Sequence, residues 1–79
     1  MYSSAYVWAK VLSHIEEQFG SITVSSWLDD AEIVELNEKY LIIYSASDFR
    51  RELIRRRCAV YIQDALKEIF SSDAKVLVF

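Results

Sequence analysis

Apolar side chains in "SSAYVWAKVLSHIEEQF" recur at Val7, Trp8, Val11, Leu12, Ile15 and Phe19, the three- and four-residue spacing of one helix face. Ser3 or Ser4 supplies a hydroxyl cap at its start, and Gly20 stops it. "SITVSSWL" reads as a short second helix with Ile22, Trp27 and Leu28 facing inward, although its β-branched residues lose side-chain freedom there. The period then changes. "AEIVEL" and "YLIIYSA" are β-branched and aromatic runs on either side of "NEK", which is a hairpin pattern. Ser47 or Asp48 caps a further helical stretch reaching about Phe70. "KVLVF" is a short apolar strand that must pair with the hairpin, since a lone strand is unstable. The order α-α-β-β-α-β predicts an α+β domain with helices on one face of a three-stranded sheet.

The stretch from Asp48 to Phe70 holds an irregularity. Projected at ~100° per residue, Phe49, Leu53 and Ile54 point roughly 140° away from Cys58, Ile62, Ala65, Leu66 and Ile69. A straight helix cannot turn both groups into one core. Either it bends or breaks near Arg56–Cys58, or the first group faces something outside the domain. The expectation is a bend that leaves Phe49 and Leu53 partly accessible.

With 79 residues the chain is long enough for one small domain, spanning residues 1–79, and nothing in it resembles a linker. Such a chain buries only roughly 60% of the surface its unfolded form exposes, so the core is marginal. A hydrophobic content of 53% nevertheless places it among folded rather than disordered chains. Cys58 is the only cysteine and His14 the only histidine, so neither a disulfide within the chain nor a Cys/His metal cluster can form. No apolar run approaches the ~20 residues of a membrane helix, and the first residues lack a signal pattern. The expectation is a cytoplasmic protein that carries no cofactor and makes no membrane contact.

Catalytic chemistry finds no support. His14 lies between Ser13 and Ile15 with no second ligand-type side chain, as a surface histidine does. Cys58 follows three arginines, which could lower a thiol pKa, yet it sits on the apolar stripe and reads as a buried structural thiol. Glu16, Glu17, Asp29, Asp30, Glu32 and Glu35 read as solvated faces and turn residues. The expectation is a protein that is not an enzyme.

Four segments together, "VWAKVLSHIEEQF", "VSSWL", "LIIYSASDF" and "YIQDALKEIF", resemble the N-terminal domain of the bacterial chromosomal replication initiator DnaA across nearly the whole chain. The resemblance implies a KH-like α+β fold and a part of a larger initiator. It also implies an interaction hub that binds other initiator copies weakly, the replicative DNA helicase and regulatory proteins of initiation. By position it assigns self-association to Trp8, beside Tyr2 and Tyr6, and helicase or regulator contact to Thr23, Ser26, Trp27, Phe49 and Arg50. Trp8 also fits plain core packing, and Trp27 fits a core anchor with one edge exposed. Where the family commonly has Pro after the second Trp, this chain has "WLDDAEI". Ser45, Ala46, Ser47 and Asp48 replace a common Ala-Pro-Asn, and Leu53 replaces a frequent Trp. Ser or Asp preserves the helix cap.

Five of nine basic residues fall in "SDFRRELIRRRC", although net charge is −3. Helical projection places these arginines around the helix with Asp48 and Glu52 among them, not on one face as a phosphate track requires. A KH domain clamps nucleic acid with a Gly-x-x-Gly loop, which one glycine cannot supply. The expectation is a largely solvated run in which Arg50 borders a patch centred on Phe49. The alternative is a standalone KH-like module making weak single-stranded DNA contact through Arg50, Arg51 and Arg55.

Overall fold

Helix α1 (Ser4–Phe19) begins where the Ser3 hydroxyl accepts the Tyr6 N–H at 3.1 Å, as the sequence allowed. In this computed structural model, which describes residues 3–79, α1 buries Val7, Val11 and Ile15 along one face. It ends at Gly20, whose φ of 86° lies where an L side chain is strained. That one residue closes α1, with its N–H on the Glu16 carbonyl, and opens α2 (Ser21–Leu28), with its carbonyl accepting from Val24.

Ile22 corrects the sequence reading. It is 87% exposed, while Val24, Leu28 and part of Trp27 face the core. The physical reason is phase. Val24, Trp27 and Leu28 sit at i, i+3 and i+4, and Ile22 falls on the opposite side of that stripe.

Strands β1 (Glu32–Leu36) and β2 (Tyr40–Tyr44) form the expected antiparallel hairpin, with an irregularity between Ile33 and Glu35 that leaves Val34 exposed. The turn is held by the Asn37 side-chain oxygen, which accepts the Lys39 and Tyr40 N–H groups at 2.8 Å each. Strand β3 (Lys75–Val78) pairs parallel with β2, giving the order β1-β2-β3. Leu41, Ile43 and Val78 are buried beneath the helices, whereas the alternating Tyr40 and Tyr44 are exposed on the other face. Ser45, the one buried polar residue among those described, is satisfied: its hydroxyl donates to Asp30 at 3.0 Å and its carbonyl accepts from Arg51 at 2.6 Å.

The conflict of helical phase is resolved without a break. Helix α3 (Asp48–Leu53) passes through a π turn (Ile54–Cys58) into α4 (Ala59–Phe70), and the Ala59 N–H bonds to the Ile54 carbonyl, five residues back. A π turn advances each residue by roughly 80° instead of 100°, so over four steps it removes roughly 80° of offset. Ile54 thereby joins Cys58, Ile62, Ala65 and Leu66 in the core, all at 1% exposure or less. The residual offset leaves Leu53 half-buried and Phe49 outside.

Candidate protein-interaction surface

The Ser47 hydroxyl accepts the Arg50 N–H at 3.3 Å and its carbonyl accepts the Arg51 N–H, so α3 starts abruptly after β2. Phe49 therefore occupies the first turn, where its phase carries it away from the sheet, and it is 69% exposed. One turn later Leu53 lies beside it. Phe49, Glu52, Leu53, Arg56 and Arg57 line a shallow hollow of about 270 Å³.

Arg56 and Arg57 also border a larger hollow of about 700 Å³. Its other walls are Gln18 and Phe19 at the end of α1, Thr23 and Trp27 of α2, and Val60 and Tyr61 of α4. The Phe19 ring meets Trp27 edge-on at 5.3 Å and Tyr61 at 4.8 Å, so the floor is a fixed aromatic cluster. Thr23, Trp27 and Phe49, which the sequence singled out separately, thus lie along one surface joined at the two arginines. Ser26 is exposed on α2 and donates its hydroxyl to the Thr23 carbonyl at 2.7 Å, which keeps it local.

The arginine run divides by partner. The Arg50 guanidinium binds Asp29 directly and Asp30 at 3.4 Å, and the bond to Asp29 raises its pKa further. Arg51 pairs with Asp48 and caps the Ser45 carbonyl. Arg55 bonds Glu52 at 3.0 Å and the Val78 carbonyl at 2.7 Å, fastening the helix to the end of β3. Arg56 reaches the other oxygen of Glu52 at 3.1 Å. These two bonds, that from Arg56 first, hold the Glu52 carboxyl below the usual glutamate range. Arg57 has no carboxylate partner among the described residues, and it stands where the two hollows meet.

Trp8 is half-buried and packs against the core from α1; it lines neither hollow. Neighbouring Tyr6 is 45% exposed and meets Phe70 edge-on at 6.5 Å, while Tyr2 lies outside the described residues. His14 is half-buried, with Nε2 3.3 Å from Glu68. Burial pushes the Cys58 thiol up to about 11, despite the nearby Arg57 charge.

Arg56, Arg57 and Val60 are the surface residues that sequence reasoning did not select, whereas Leu53 is predicted there to be partly accessible. The helical projection that isolated Phe49 also places Leu53 beside it, so that signal was present. The role of Arg57 depends on which acids reach the other four arginines, and that is set by tertiary structure.

Among the described residues there is no group of three His, Cys, Asp or Glu side chains placed to hold a metal. No helix among them is long and apolar enough to cross a membrane. The DnaA N-terminal domain matches residues 5–68, from the first turn of α1 to within two residues of the end of α4. This stretch includes both tryptophans, the hairpin, Phe49 and the π turn, and the matched domain is a non-catalytic interaction domain of replication initiators. Covering more than three-quarters of the sequence and agreeing with the fold order, the match means that the chain belongs to the DnaA N-terminal domain family.

Proposed function

We propose that this domain is the protein-interaction module of a cytoplasmic replication initiator, recruiting the replicative helicase and regulators of initiation through the α2–α3 surface. Thr23, Ser26, Trp27, Phe49 and Arg50 belong to that surface, and Trp8 on α1 serves weak self-association at the origin. The observation that supports it most is Phe49: a large apolar ring, fixed by a capped helix start, stands 69% in solvent beside half-buried Leu53. Exposed aromatics next to arginines are the residues that carry most energy at protein interfaces. Each contact is small. Many copies lined up on DNA would sum such contacts through high local concentration.

Helicase capture by immobilised domain tests this. Phe49→Ala is expected to keep the wild-type circular dichroism spectrum and to lose capture. Undiminished capture by a folded Phe49→Ala variant overturns the assignment.

Single-stranded DNA contact by Arg50, Arg51 and Arg55 has less support, because all three guanidinium groups are already held by carboxylates or backbone carbonyls. Phosphate binding would have to displace those partners.

A further inference from the structure

The face of the sheet turned away from the helices is apolar along its central strand and is covered by no other element among the described residues. Tyr40, Ile42 and Tyr44 run down the central strand, Leu77 lies level with Ile42 on β3, and Val34 projects at the irregularity of β1. Tyr40, Tyr44 and Val34 are 41%, 45% and 64% exposed. A solvated sheet face usually alternates to polar residues, and a contiguous apolar patch rimmed by charge marks an interaction site.

The rim charges are opposite on opposite edges. Glu35 pairs with Ile42 in the ladder and so shares the open face on the β1 side, as exposed Glu32 does opposite Tyr44. Lys75 pairs with Tyr40 and shares it on the β3 side. Both are exposed, and neither has an ion-pair partner among the described residues; Glu35 only accepts from the Asn37 amide at 3.3 Å. Stacking two such faces about a two-fold axis parallel to the strands lays β1 of one copy over β3 of the other. Glu35 then faces Lys75 of the second copy twice, offset by two residues along the strand. That is roughly 7 Å, within the reach of a lysine side chain across sheets ~10 Å apart. An axis across the strands would instead place β1 over β1, acid against acid.

We propose that this open sheet face pairs with the same face of a second copy of the chain, about a two-fold axis parallel to the strands, with Glu35–Lys75 contacts fixing the orientation. The contact lies on the side of the sheet opposite the helices and does not rest on the function proposed for α1, α2 or α3. Three strands of about five residues span roughly 14 by 17 Å. Two such faces bury less than the ~1,000 Å² of a stable interface, so the pairing is weak and suits tethered copies.

The test is a dilution series of the 79-residue chain from millimolar to tens of micromolar, read by amide chemical shifts and translational diffusion. Concentration-dependent shifts are expected at Ile42, Tyr44 and Leu77. Because each reversal turns two attractive contacts repulsive, Glu35→Lys and Lys75→Glu should each weaken pairing by about tenfold. The double variant should return to within a factor of about two of wild type. Tyr44→Ser, at an exposed position, should abolish the shifts, and Trp8→Ala should leave them in place. The proposal is overturned by constant sheet shifts at millimolar protein, by failure of the double reversal to rescue, or by loss of the sheet shifts in a folded Trp8→Ala variant.

Discussion

Phe49 and Ile54 are five residues apart, and the sequence assigns them to one apolar stripe; the π turn sends them to opposite fates. Truncating each to alanine measures that separation. Ile54 is 0% exposed, and removing its buried methyl and methylene groups leaves a cavity at the junction of α3 with the core. Such losses cost about 2–5 kcal/mol, and about 3 kcal/mol is expected here. A domain of this size has a total stability of roughly 4–12 kcal/mol, so Ile54→Ala removes a large share of it. At roughly 4–8 °C per kcal/mol, the melting temperature should fall by more than about 10 °C. Phe49 has about a third of its surface covered, which is roughly 60 Å² and at most ~1.5 kcal/mol of burial. Alanine keeps part of that contact and gains about 0.5 kcal/mol of helix propensity over Phe. The net cost should stay below about 1 kcal/mol. Urea denaturation followed by far-ultraviolet circular dichroism reads both values, with an unchanged slope as the check that two-state behaviour holds. Equal destabilisation by the two variants would refute the phase assignment, and so would an Ile54→Ala midpoint that does not move.

Two further outcomes follow from single side chains. Ser47→Ala removes the hydroxyl that accepts the Arg50 N–H and should cost about 1 kcal/mol, a fall of roughly 4–8 °C in melting temperature, with Ser47→Asp restoring most of it; an unchanged melting temperature means that the cap contributes nothing. Cys58 has its folded pKa raised to about 11 from the ordinary 9.0, so its contribution is present below pH 9 and is lost as pH rises towards 11. The stability advantage of wild type over Cys58→Ala should therefore shrink between pH 8 and pH 10.5, and native protein should resist iodoacetamide at pH 7 until urea opens the core; rapid native alkylation would contradict the burial.

Where the signal was local, the sequence was a sufficient guide. The α1 stripe, the Ser3 and Ser47 caps, the Gly20 stop and the hairpin around "NEK" each depend on residues within one turn or one strand pair. Ile22 points outward because Val24, Trp27 and Leu28 define a stripe that excludes it, and the apolar character of "SITV" carries no direction of its own. The π turn was visible only as a contradiction. Two apolar groups roughly 140° apart require either a bend or break near Arg56–Cys58 or a first group that faces outward, and a widened turn gives the same projection. The arginines show where such reasoning ends. Spacing established that five guanidinium groups ring the helix, and it could not say which acids reach them. Asp29 and Asp30 arrive from the end of α2, some twenty residues away, and the Val78 carbonyl arrives from β3. Only with those partners assigned does Arg57 emerge as a cation with no carboxylate partner among the described residues, between two aromatic hollows. The same holds for the open sheet face, since Glu35 and Lys75 are forty residues apart in sequence and share a face solely through the register of β2 with its two neighbours.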